Sequence, residues 1–351
     1  MLDRIAKEIS LRGGWISFAR YMDLALHAPG LGYYAGGAQK FGAGGDFVTA
    51  PELGRLFART LARQLKDLLG EKDGILEIGA GSGALAEALL RELSCEYSIL
   101  ETSAELQERQ KRRLKDSVRW LSALPERLRG VIIANEVVDA MPVHAVAWRA
   151  GGIMERGVAF ENGRLTWRER PASGALLEEA RAIHVPVPYE SEIGLAGQAW
   201  MHRVAESLEQ GVLLVIDYGF PRREYYHPER SAGTLMCHHR HTSHGDVFAR
   251  PGLEDITAHV DFSALAGAAR EAGLDVLGYA NQAQFLVNCG ITEVLGEANI
   301  ENALHYAPLA AEANKLLSPA EMGELFKVLA VGRGMTRPLL GFARNNRSHT
   351  L

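Results

Sequence analysis

The run Ile75-Leu76-Glu77-Ile78-Gly79-Ala80-Gly81-Ser82-Gly83 constrains the chain more than any other stretch. Ile75 to Ile78 are apolar apart from one acid, which suits a short strand buried in a parallel sheet. Glycines then recur at every second position, and Ala84-Leu85-Ala86-Glu87-Ala88-Leu89-Leu90 consists of strong helix formers. Strand, turn and helix start together make a seat for a nucleotide-like ligand. Without Cβ atoms the turn backbone can lie against the ligand, and the first helical N–H groups are unpaired.

The flanking acids bear on which ligand that is. Gly79-x-Gly81-x-x-Ala84 satisfies the dinucleotide pattern, which keeps an NAD-dependent oxidoreductase among the alternatives. Glu77, two residues before the first glycine, would repel a pyrophosphate but pair with the ammonium and sulfonium of S-adenosylmethionine. A ligand-free Gly-rich turn is the simpler alternative. Glu101 follows a second apolar stretch and lies 22 residues after Gly79. That is the spacing at which an acid accepts hydrogen bonds from ribose hydroxyls; otherwise Glu101 caps a helix over 104–115.

A net charge of −5, from 38 basic and 43 acidic residues, gives no nucleic-acid footprint. Three cysteines without a C-x-x-C pair (Cys95, Cys237, Cys289) imply neither disulfides nor zinc, and fit buried thiols in a reducing compartment. No apolar run is long enough for membrane insertion, and the N-terminus lacks a signal-peptide core, so a cytoplasmic protein is expected.

Residues 1–70 read as a helical cover, with helices near 2–11, 16–27 and 52–69 around a loop rich in glycine and aromatics. Within that loop Asp46, Thr49 and Glu52 either cap and end helices or line a pocket. Strand–helix alternation follows, with helix 84–93, strands near 96–100, 118–121 and 130–134, and a fifth strand ending at Asp217. The expectation is an α/β fold: a Rossmann-like sheet over 71–142 and 205–351 with helices on both faces and a loop-rich insertion at 221–262. A smaller β-rich lobe over 143–204 interrupts it, its strands turning at Gly151-Gly152 and Asn162-Gly163. Late in the chain, strands at 274–280, 326–332 and 339–343 and helices at 282–289 and 299–317 are expected, the last two strands forming an antiparallel pair.

Strand 130–134 ends in Asn135-Glu136-Val137-Val138-Asp139. Carboxyl ends of strands in a doubly wound sheet face the ligand crevice, so Asn135 and Glu136 fall where a second substrate would react. If the segment turns helically, Glu136 and Asp139 share a face and could hold a guanidinium or amine and accept its proton. Otherwise they are a turn cap and a surface acid. His259, in Asp255-Ile256-Thr257-Ala258-His259-Val260-Asp261-Phe262, is either a proton acceptor near neutral pH or a buried, hydrogen-bonded ring. His238, His239, His241 and His244 lack the partner spacing of a metal site, and no metal is expected.

Taken together, several blocks resemble the MidA-like family of S-adenosylmethionine-dependent methyltransferases. They include Gly32-Tyr33-Tyr34, Gly45-Asp46-Phe47-x-Thr49-x-Pro51-Glu52, Glu77 to Gly83, Ala134-Asn135-Glu136-x-x-Asp139-Ala140-x-Pro142-Val143, Asp217-Tyr218-Gly219 and Asp255 to Phe262. The resemblance implies a class I methyltransferase domain interlaced with a smaller lobe, and a protein substrate. For the mitochondrial branch it implies symmetric dimethylation of an arginine in a respiratory complex I subunit. On that reading Glu77, Gly79, Gly81 and Gly83 hold the methionine part and Glu101 the ribose, while Asp46, Thr49 and Glu52 close the pocket. Asn135, Glu136, Asp139 and His259 serve the acceptor. The alternative of another class is a cofactor-binding assembly factor whose contacts matter more than its chemistry, and a homodimer is compatible with either.

Overall fold

The computed structural model describes residues 1–36, 49–71, 73–240, 242–299 and 301–351. Its central sheet is built from β1 (Gly74–Ile78), β2 (Tyr97–Leu100), β3 (Arg119–Leu121), β4 (Leu128–Asn135), β5 (Leu208–Phe220), β6 (Asp275–Asn281) and β7 (Phe326–Arg333). The spatial order is β6-β7-β5-β4-β1-β2-β3, and an eighth, short strand, Val260–Asp261, pairs in parallel with the end of β5. Pairs from β5 through β3 are parallel, and β7 runs antiparallel to both β5 and β6.

Side-chain alternation decides which core each residue joins. Ile75, Val131, Ile133, Val212 and Leu214 point to one face, covered by the helices Leu56–Leu68, Ala84–Leu89 and Gln282–Asn288. Leu76, Ile132, Leu213 and Val215 point to the other, covered by Leu195–Ser207 and Phe262–Glu271. With both faces buried, the strands read as nearly continuous apolar runs, which is why the sequence shows them so clearly.

The smaller lobe is a second sheet in the order Ile16–Ser17, Gly152–Glu161, His144–Arg149, Tyr189–Ile193, with Arg164–Pro171 paired to Gly152–Glu161. The N-terminal helices Leu2–Leu11 and Phe18–His27 share a core with it through Ile5, Phe18, Tyr21, Ala145 and Val158. A three-stranded sheet, Met236–His239, Thr242–His244 and Asp255–Thr257, lies within the 221–262 segment.

Three local expectations change. The helix expected over 16–27 starts at Phe18, because Ile16–Ser17 pairs with Gly157 and Val158 and the Ser17 side chain caps Arg20 N. The helix expected over 52–69 is broken into Ala50–Leu53 and Leu56–Leu68. Glu312 occupies the break: its carboxylate accepts the Leu56 and Phe57 N–H groups at 2.7 and 3.3 Å, and a Cβ on Gly54 would lie 2.1 Å from Glu312 Oε2. Residues 339–343 do not form a strand, and β7 pairs with β6 instead. Leu340–Phe342 is a tight helical turn whose Gly341 N–H goes to Gln64 Oε1, while the Phe342 ring packs where a Cβ on Gly278 would lie.

Candidate active site

A cavity of about 490 Å³ opens at the carboxyl ends of the central strands, where the ends of β1 and β2 bound one half and the ends of β4 and β5 the other. In the first half, Gly79, Gly81 and Gly83 have φ of 67°, 53° and 80°. These are left-handed conformations that side chains other than glycine's rarely adopt, so the turn stays open on its ligand side. Behind it Glu77 is buried and takes the Tyr97 hydroxyl proton's hydrogen bond at 2.7 Å. Burial raises its pKa to about 7 against the Tyr97 hydrogen bond, with a further push from Glu101. No basic side chain pairs with Glu77 among the described residues.

Glu101 is buried at the end of β2, its oxygens accepting Ser103 N–H at 2.9 Å and Gln110 Nε2 at 3.2 Å. The cap of the following helix is Ser103, not Glu101. Glu52 reaches the glycine turn from the N-terminal cover, accepting the Ser82 hydroxyl, while Arg113 Nη1 bonds Ser82 Oγ at 2.6 Å. Thr49 precedes the short helix Ala50–Leu53 without a side-chain cap bond, and its side chain lines the cavity. Asp46 lies outside the described residues.

In the second half, Asn135, Glu136 and Asp139 all line the cavity, but not because the segment is helical. The chain turns sharply at Glu136, whose φ is +54°. Asp217, fully buried at the end of β5, holds that turn: Oδ2 accepts the N–H groups of Val137, Val138 and Asp139 at 3.2, 2.9 and 3.2 Å. Its other oxygen accepts Tyr218 N–H, and the Tyr218 hydroxyl donates to Asp139 Oδ2. Asp139 Oδ1 and Asn135 Oδ1 are buried with no hydrogen-bond partner.

Burial drives the Glu136 pKa up to about 8, with Asp139 adding to the rise, while hydrogen bonds from Asn135 and the Ala50 N–H oppose it. Asp139 and Asp217 are raised too, both chiefly by burial. Neither Glu136, Asp139 nor Asp217 has a basic partner among the described residues.

His259 also lines the cavity, stacked on Phe220 and edge-on to Tyr218. It does not suit the role of a base near neutral pH. Burial, with the nearby Arg230 and Lys327 charges, lowers its pKa to about 4, so the ring is neutral. Of the other histidines, His238 lines the cavity and His241 lies outside the described residues. His244 pairs with Glu254 at 3.2 Å. Cys237, His244 and Glu254 bring ligand atoms within 4.8 Å of one another, but Arg250 already occupies Glu254 Oε1 at 3.1 Å.

Sequence reasoning assigned no role to Asp217, Tyr218, Tyr34 or Asp255, although each lies in a block it had singled out. Their roles depend on partners far away in the chain: Tyr218 meets Asp139 across 79 positions and Tyr34 meets Asp255 across 221.

The buried acids fit a cationic, multi-donor cofactor. Glu77 is buried without a basic partner among the described residues, and Glu101 lies beside the open glycine turn, a lining whose chemistry suits a ligand with a positive charge and hydroxyls.

Residues 56–280 match the model of a family of S-adenosyl-L-methionine-dependent methyltransferases. The protein arginine methyltransferase NDUFAF7, mitochondrial, of Danio rerio is 30% identical over 94% of this chain and 86% of its own length. The Homo sapiens protein of that name is 27% identical, over 91% and 80%. A Burkholderia thailandensis protein solved with bound S-adenosyl-homocysteine superposes with a TM-score of 0.96 at 48% identity, covering 100% of this chain and 96% of that one.

Proposed function

From the premise that the chain belongs to this family of S-adenosyl-L-methionine-dependent methyltransferases, we propose that its acceptor is the guanidinium of an arginine in a protein substrate. The observation that carries this reading is the pair of unpartnered buried acceptors, Asn135 Oδ1 and Asp139 Oδ1, beside Glu136. Acceptor atoms without donors, beside Glu136 and Asp139, which lack basic partners among the described residues, call for a cation bearing several N–H groups. The names of the relatives in zebrafish and human point the same way.

When bound, the cofactor supplies an electrophilic methyl on its sulfonium. Asn135 Oδ1, Glu136 and Asp139 would orient one guanidinium nitrogen toward that methyl. In accepting the methyl from the sulfonium, that nitrogen would give up a proton. Glu136, whose burial raises its pKa to about 8, would receive it.

The family resemblance makes a respiratory complex I subunit the first candidate substrate. The three free cysteines support a reducing compartment, for which we propose the cytoplasm; no helix of the described residues is long and apolar enough to cross a membrane.

The test is transfer of labelled methyl from S-adenosylmethionine to a proteome extract, followed by hydrolysis and amino-acid analysis. Methylarginine is expected. Label recovered only as methyllysine or as base-labile methyl ester overturns the arginine reading. Intact-mass comparison of complex I subunits with and without the protein then tests the named candidate.

A further inference from the structure

We propose that Met322 and Leu325 form an apolar shelf at the mouth of the acceptor half, where an apolar side chain next to the methylated arginine is seated; this rests on the arginine reading above.

Topology brings the shelf to the site. β7 runs antiparallel to β5, so its first residue, Phe326, lies at the edge where the parallel strands end. Phe326 stands opposite Tyr218 in the register, and the two rings meet edge-on at 5.5 Å. The Tyr218 hydroxyl in turn donates to Asp139. The short helix Met322–Leu325 runs directly into Phe326, and Met322, Leu325 and Phe326 all line the cavity.

Met322 and Leu325 are three apart and share a helix face. The one charged side chain of that helix is engaged elsewhere. Glu324 accepts a hydrogen bond from Asn281 Nδ2 and lies 3.7 Å from Lys327 Nζ and 3.5 Å from Arg347 Nη1. Among the described residues, the cavity lining includes none of these four. The face offered to the cavity is therefore apolar.

The helix is fixed from behind. Gly323 is buried, and a Cβ there would lie 2.2 Å from the Leu317 carbonyl oxygen, so the backbone sits against the end of the helix Ala303–Leu317. Lys327, itself buried, donates to the carbonyls of Glu324 and Leu325. A shelf held in this way is preorganised, and little ordering is left for the binding step.

Exposure sets the depth of each residue. Phe326 is 7% exposed and Leu325 41%. The aromatic pair thus walls the deeper path toward Asp139, and Leu325 stands at the rim. The methylenes of an arginine reaching Asp139 would lie along the two rings, which leaves Leu325 to the neighbouring residue of the substrate. An apolar neighbour covers the shelf favourably, whereas a charged one would lose water there without gaining a partner.

The test is competition within a peptide library that has a central arginine and varied neighbours. The protein transfers labelled methyl from S-adenosylmethionine, and mass spectrometry locates it. Wild type should favour leucine, isoleucine or methionine over serine or aspartate beside the arginine by about tenfold in kcat/KM. Leu325→Ala should reduce that preference to about threefold or less, and Leu325→Met should keep it. Leu325→Glu should turn the preference toward a lysine neighbour. S-adenosyl-homocysteine affinity within about twofold of wild type shows that a variant is folded, and should the variants not fold, the wild-type preference decides alone. A wild type indifferent to the neighbouring residue overturns the shelf, as does a preference unchanged in folded Leu325→Ala and Leu325→Glu. Methyl found on no arginine of the library overturns the arginine reading itself.

Discussion

Asp217 Oδ2 accepts the backbone N–H of Asp139 at 3.2 Å, so one buried carboxylate holds in place the residue that carries another. The same oxygen takes the Val137 and Val138 N–H groups. These bonds anchor the turn in which Glu136 adopts its left-handed conformation. Asp139 and Glu136 push the Asp217 carboxyl pKa up, and no basic side chain pairs with these three acids among the described residues.

Replacing Asp217 by alanine leaves three buried N–H groups without their acceptor. An unmet buried donor costs about 1–3 kcal/mol, so urea unfolding should show a loss of about 3 kcal/mol or more. Asp217→Asn keeps one acceptor oxygen and should lose less. A loss below about 1 kcal/mol in Asp217→Ala would mean that the turn has another support.

Glu136→Gln keeps the size of the side chain but removes the proton acceptor. Calorimetry with S-adenosyl-homocysteine should give an unchanged affinity, while turnover falls about a hundredfold. Unimpaired turnover would take Glu136 out of the chemistry.

Cofactor binding should depend on pH through Glu77. With its pKa raised to about 7, Glu77 is largely protonated below that pH and cannot pair with the ligand ammonium. Affinity for S-adenosyl-homocysteine should therefore weaken as pH falls from 8 to 6, and binding at pH 7 should release protons. Calorimetry in buffers of different ionisation enthalpy reads both effects, and Glu77→Gln should abolish the proton release.

Stability of the ligand-free protein should fall as pH rises from about 5 to 8. Glu77 and Glu136 have folded pKa values of about 7 and 8, above the ordinary carboxylate value of about 4.3 that they regain on unfolding. In that window the folded state binds more protons than the unfolded one, so ∂ΔG/∂pH is negative. Tm measured across the range should decline, and saturating S-adenosyl-homocysteine should raise Tm more at pH 8 than at pH 5.5. A flat Tm profile would show that these acids are solvated in the folded protein.

Much of the sheet was legible in the sequence because its strands are buried on both faces. Ile75–Ile78 and Val131–Ala134 can be read without knowing their neighbours. Elements whose state depends on a distant contact were misread. Ile16–Ser17 becomes a strand only by pairing with Gly157 and Val158, and Gly54 interrupts a helix because Glu312 fills its side. Residues 339–343 look like a strand by composition, but aromatic packing against the sheet turns them into a helical bend.

The sequence by itself determined the donor half of the site. Strand, glycine turn and helix are contiguous, so the positive φ angles follow from local residue choice. Only the tertiary structure decided the proposed acceptor half, at the ends of β4 and β5. Glu136 and Asp139 are spaced for a helix that does not form, and they are held together because Asp217 and Tyr218 reach Asp139 across 78 and 79 positions. The protonation behaviour of that half is equally non-local, because burial of several like charges in one cavity is a property of the packed fold and of no single segment.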